Sequence, residues 1–215
     1  MLLVFSSADI TVAAASDLAP LESAIKQGYG PGVRFSFGSS GSLLRQIENG
    51  APFDVFLSAN ELYIDEGIRK GVLTGPPRLY ATGNVAIWSK SGRYRSLDQL
   101  RDPKILHIAI ANPAYAPYGA AAKQALEKAG LWQHLQPKIV LGENVRQALQ
   151  YAESGNADVA LVSWSLVHDR GGVLVNGSSV KQVGAVVKAN PDASKFLDWL
   201  TGPAGQAILK SHGLR

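Results

Sequence analysis

Four short segments hold the side chains and backbone positions with chemistry to offer. Ala13-Ala14-Ala15-Ser16-Asp17-Leu18 ends an apolar run in small residues and sets Ser16 where a helix N-cap would stand. Phe37-Gly38-Ser39-Ser40-Gly41-Ser42 repeats that form, with glycines that allow close backbone approach and serines that supply hydroxyl donors. Pro117-Tyr118-Gly119 and Glu143-Asn144-Val145-Arg146 open two further helical patterns. In each case an extended run gives way to a turn and then to a helix. A helix start carries amide N–H groups with no intrahelical acceptor and a partial positive charge. The chemistry on offer is donation of hydrogen bonds to an anion by neutral groups. Asp17, an acceptor beside Ser16, is the exception.

Sets of residues that would do covalent or metal chemistry are missing. The Gly38–Ser42 turn lacks the spacing and lysine of a P-loop and does not fit G-x-S-x-G. The four histidines, His107, His134, His168 and His212, are scattered without metal-ligand spacing. Asp65 and Glu66 are adjacent on a helical pattern and so face different ways. There is no cysteine, hence no disulfide, thiolate nucleophile or thiolate-held metal. An enzyme would have to rely on a lone serine, such as Ser40, or a lone aspartate, so the chain reads as a binding protein.

The elements that position these turns follow from composition and periodicity. The 215 residues, 46% hydrophobic and 18% charged, suffice for a buried core and exclude a disordered chain. A net charge of +4 without a basic run argues against a nucleic-acid partner. Residues 1–8 resemble the tail of a truncated secretory signal, and no other stretch approaches a membrane span. Short Val- and Ile-rich runs are expected as strands at Ile10–Ala14, Val33–Phe37, Val55–Leu57, Val85–Trp88, His107–Ile110, Lys138–Leu141, Val159–Val162 and Gly184–Val187. Between them lie helical patterns such as Val145, Ala148, Leu149 and Ala152. Gly50, Gly71, Gly130, Gly155 and Gly202 stand where helices would end in the left-handed conformation. This alternation predicts an α/β protein with mainly parallel sheets. Gly83 and Val173–Gln182 read as polar breaks. The expected organisation is a first lobe of residues 9–84 plus 185–215 and a second of 88–182, joined by two crossing segments.

With these segments placed, a resemblance emerges over Asp9 to Leu214. The blocks ITVAAASDL, FSFGSSGSLLRQIENGAPFDVFLSA, IAIANPAYAPYGAAAKQALEKAGLW, PKIVLGENVRQAL and FLDWLTGPAGQAIL resemble the periplasmic molybdate-binding proteins of ABC transporters. The resemblance implies a type II periplasmic-binding-protein fold of two hinged α/β lobes that close on a tetrahedral oxyanion, molybdate or tungstate. It implies a monomer without cofactor, located in the periplasm and docking on a membrane permease. By motif, the contacts to the oxygens of the anion fall on Ser16, Ser40, Tyr118 and the backbone of Val145, with no direct bond to the metal. The match departs from the family at two places. Many relatives carry an anion-touching tyrosine after the strand matching Val159–Val162, where this chain has Ser163-Trp164-Ser165. The phenol of Tyr118, or the hydroxyl of Ser163, is the expected substitute. The other departure is Asp17, whose charge should repel a dianion unless it points away.

Asp17 also frames the alternative ligand. Molybdate at neutral pH has no proton and suits a site made only of donors, whereas hydrogen phosphate needs one acceptor, which Asp17 offers; sulfate is a further candidate. A LysR-type effector-binding domain shares the two-lobed plan but would normally follow a helix-turn-helix, for which no room is expected before Ile10.

Overall fold

The computed structural model describes residues 9–215; the signal-like segment 1–8 lies outside the described residues. A short strand β1 (Ile10–Ala15) leads through a 3₁₀ stretch, Ser16–Leu21, into α1 (Glu22–Tyr29). There follow β2 (Val33–Gly38), α2 (Ser40–Glu48), β3 (Val55–Ser58) and α3 (Glu61–Arg69). A strand of 15 residues, β4 (Thr74–Trp88), then runs out of this first lobe. The second lobe holds β5 (Ile108–Ala111), α4 (Pro117–Lys128), α5 (Trp132–Leu135), β6 (Ile139–Gly142), α6 (Val145–Ser154) and β7 (Val159–Ser163). The chain returns along β8 (Val173–Val186) and ends in α7 (Pro191–Thr201) and α8 (Pro203–Ser211).

The eight strands among the described residues share one curled sheet in the order β2-β1-β3-β8-β4-β7-β5-β6. The outer strands are parallel, β1 with β2 and β3, and β5 with β6 and β7. The centre is antiparallel, where β8 pairs with β3 and β4, and β4 pairs with β7. Val183–Val186 of β8 thus belong to the first lobe, whereas Val85–Trp88 of β4 belong to the second. The length of β4 and β8 departs from the sequence expectation, which placed breaks at Gly83 and Val173–Gln182. Within β8 the exposed Asn176, Ser179 and Lys181 alternate with the buried Ser178, Val180 and Gln182, because this part of the strand turns one face to water. The two strands stay hydrogen-bonded across the junction between the lobes, with three irregularities of register.

The core follows the same division. The first-lobe sheet is covered on one face by a cluster including Leu18, Ile25, Phe196 and Leu197, and on the other by Leu43, Ile47, Phe56 and Ile64. The second lobe packs Ala122, Leu126, Ala148 and Leu149 against β5 and β7. Glycines 50, 71, 130 and 155 end helices with positive φ as expected. Gly202 does not. Its φ of −80° and ψ of 175° are extended, because it both ends α7 and precedes Pro203, which disfavours helical geometry in the residue before it.

Candidate functional site

At the mouth between the lobes, the carboxyl ends of β1, β2, β3 and β5 meet helix starts from both sides. Ser16, Asp17, Gly38, Ser39, Ser40, Ala59, Tyr118 and Val145 line a narrow, tightly closed cleft with a volume of about 10 Å³. That is room for about one water-sized sphere, far below the roughly 300–1,000 Å³ of pockets for drug-sized ligands. A wider groove beside it, bordered by Asn60, Glu61, Gln124 and Lys181, is open to solvent. The site is placed in the narrow cleft because the helix starts end there.

Each cleft residue owes its position to local sequence. Pro20 cannot donate a backbone hydrogen bond, and the segment from Ser16 begins as a 3₁₀ turn rather than as part of α1. Ala15 rather than Ser16 is its N-cap, and no side chain caps it. The hydroxyl of Ser16 is therefore not committed to capping. In α2 the capping role falls to Ser39, whose Oγ accepts from the Ser42 amide at 3.4 Å. That leaves Ser40 as the first helical residue, fully buried, with its Oγ accepting from the Ala59 amide at 3.0 Å. Its hydroxyl proton remains for a ligand. Pro117 fills the first position of α4, where its missing N–H costs nothing, and the Tyr118 amide comes next. Asn144 caps α6 by accepting from the amides of Arg146 and Gln147, at 3.0 and 3.1 Å, so the Val145 amide in front of them has no intrahelical acceptor.

Among the described residues lining the cleft there is no lysine, arginine or histidine. Arg146, next in sequence to Val145, is exposed on α6. Positive potential comes instead from amides and helix starts of both lobes. The described residues contain no cluster of His, Asp and Glu that could hold a metal ion, and no helix long and apolar enough to cross a membrane.

The lobes are closed on each other. The Gly41 amide donates to the Tyr115 carbonyl at 3.0 Å, and the Arg45 guanidinium lies 5.2 Å from the centre of the Tyr115 ring. Gly41 is required at this contact, because a Cβ there would come within 2.9 Å of Tyr115.

Comparison with known proteins agrees with this geometry. A family model described as bacterial extracellular solute-binding protein matches residues 10–215. The chain belongs to that family. Among curated relatives, this solute-binding protein is 35% identical to the molybdate-binding protein ModA of Azotobacter vinelandii, covering 96% of this chain and 90% of that one. It is 32% identical to the molybdate-binding protein ModA of Escherichia coli, covering 98% and 87%. The solved Azotobacter vinelandii periplasmic molybdate-binding protein superposes with a TM-score of 0.88 at 30% identity over 96% of this chain and 98% of that one. The solute-binding protein thus has the type II periplasmic-binding-protein fold, and its relatives are binding proteins rather than enzymes.

The expected site residues are placed unequally. Ser16, Ser40, Tyr118 and Val145 all reach the cleft, each no more than 4% exposed. The phenol of Tyr118, the expected substitute for the missing tyrosine, is engaged elsewhere: it donates its proton to Asp17 Oδ2 at 3.0 Å. Ser163 lies behind the cleft lining, 2.8 Å from Ser165 Oγ. Ser165 in turn donates to the Asp17 carbonyl at 2.8 Å. Asp17 points its carboxyl away into this cluster and is fully buried. Gln182 of β8, absent from the sequence expectations, donates to Asp17 Oδ2 at 2.6 Å and to the Tyr118 hydroxyl oxygen at 2.8 Å. Burial pushes the Asp17 carboxyl up to about 7, against the lowering effect of the hydrogen bonds from Gln182 and Tyr118. Burial and the neighbouring Asp17 likewise push the Tyr118 phenol well above its ordinary value.

Proposed function

We propose that this protein captures molybdate, and equally tungstate, in the periplasm and delivers it to an ABC-transporter permease. The observation that carries this reading is the convergence of helix starts from both lobes, with the Ser16 and Ser40 hydroxyls, on one small cleft without a cationic side chain. Hydroxyl and amide donors suit an oxyanion that carries no proton of its own. Asp17 does not favour hydrogen phosphate, since its carboxyl is turned away from the cleft into the cluster with Tyr118 and Gln182. The names of the relatives point to the same anion. The first lobe receives the anion on Ser16 and Ser40; closure brings the Tyr118 and Val145 amides over it and excludes water, which strengthens each charge-assisted hydrogen bond. The protein acts as a monomer, without a cofactor.

Val145→Pro tests the assignment at one atom. Asn144 has the extended backbone, φ −149° and ψ 172°, that suits a residue before proline, and proline is welcome at the first helical position. The substitution removes one N–H while leaving α6 intact. Molybdate affinity should fall by about 1.5–3 kcal/mol, roughly 10- to 150-fold, with unchanged circular dichroism. Unchanged affinity would remove this amide from the site.

A further inference from the structure

The cluster around Asp17 is built across the junction between the lobes. Asp17 stands at the start of the first-lobe 3₁₀ turn, Tyr118 on α4 of the second lobe, and Gln182 on the crossing strand β8. The other crossing strand makes room for it at Gly83, where a Cβ would lie 2.0 Å from the Tyr118 hydroxyl and 3.0 Å from Gln182 Nε2. Both ends of Asp17 are gripped by the second lobe, the carboxyl by Tyr118 and the carbonyl by Ser165. Parting the lobes would break both bonds.

The bonds are unevenly distributed over the carboxyl group. Oδ2 accepts from two donors, whereas Oδ1 is buried without any, and Gln182 Oε1 is equally bare. Two buried acceptors without donors make the cluster short of a proton. An ionised carboxylate seeks donors on both oxygens, while a carboxylic acid accepts at one and carries hydrogen on the other. The groups that face Asp17 are Tyr118 from α4, Gln182 from β8, Tyr80 from β4 and Ser165 from the turn after β7, none of them a cation. The cleft that receives the dianion is lined by Asp17 itself.

We propose that Asp17, Tyr118 and Gln182 form the latch of the closed state, and that closing it over the anion moves one proton from solvent onto the Asp17 carboxyl. The proposal rests on the reading of the cleft as an oxyanion site. In the open protein water reaches Asp17, and its carboxyl returns toward the ordinary value of about 4. In the closed protein burial holds it at about 7. The affinity gained through this proton is complete below the open-state value and is lost as pH rises through the closed-state value. Proton uptake is therefore greatest between the two.

Calorimetric titration with molybdate, in buffers of different ionisation enthalpy, tests this directly, because molybdate itself carries no proton over the range. Uptake of nearly one proton per anion is expected at about pH 6 and little at about pH 8, with affinity falling about tenfold between them. Asp17→Asn should bind with no proton uptake and with affinity constant to about twofold over that range. Tyr118→Phe keeps the backbone amide but loses the bond to Asp17, and should release molybdate about tenfold faster in stopped-flow measurements. Equal proton uptake in Asp17→Asn, or a flat profile without uptake in the unmodified protein, would overturn the latch while leaving the anion site standing. A protein that bound none of molybdate, sulfate or phosphate would overturn the site reading and the latch with it.

Discussion

Replacing Gly119 with alanine is expected to damage both the fold and the site. A Cβ at this position would lie 2.0 Å from the Ala111 carbonyl oxygen and 2.6 Å from its carbon. Both are backbone atoms of β5 and have no rotamer to yield with. Alanine gains about 1 kcal/mol in intrinsic helix preference, but an overlap this deep outweighs it. The start of α4 must lift from the sheet, opening the packing of Ala122 and Leu126 and carrying the Tyr118 amide out of place. A loss of about 3 kcal/mol is expected, corresponding to a melting temperature lower by roughly 6–12 °C for a chain of this size. Molybdate affinity should drop at least tenfold. Thermal unfolding with and without molybdate measures both effects; a Gly119→Ala protein as stable as its parent would contradict the close approach of α4 to β5.

Ser40→Ala carries the second large effect, because one hydroxyl serves two partners. Its oxygen accepts from the buried Ala59 amide, and its proton remains for the anion. Removing it leaves that amide unsatisfied, at a cost of about 1–3 kcal/mol in stability. It also removes a charge-assisted donor, which should weaken molybdate binding by about 1.5–3 kcal/mol. Denaturant unfolding of the ligand-free protein isolates the first effect and titration calorimetry the second. Stability lost with affinity intact would make Ser40 a support for β3 and remove it from the site.

Much of this arrangement was legible in the chain, for reasons that particular residues make plain. Interior strands such as Ile10–Ala15 and Val159–Ser163 are buried and read as nearly continuous apolar runs. The four turns were visible because each joins such a run to a helical period, a local pattern. Val173–Gln182 was misread because a strand between lobes alternates polar residues and takes Gly177 with φ of 74°, features that also mark loops. The partners of Asp17 could not be read at all. Tyr118 is 101 residues away and Gln182 165, and no local pattern announces a glutamine that will be buried beside a carboxyl. Without those partners Asp17 looked like a group facing the anion, whereas the fold turns it into the junction between the lobes.

The central claim is that neutral donors converging on the cleft select an oxyanion that carries no proton. Titration calorimetry of the unmodified protein at neutral pH, with molybdate, tungstate, sulfate and phosphate in turn, tests it most directly. One molybdate or tungstate should bind per chain, with phosphate roughly 10- to 100-fold weaker because the Asp17 carboxyl, turned into its own cluster, does not accept its proton. Phosphate bound more tightly than molybdate, with that preference abolished in Asp17→Asn, would contradict it.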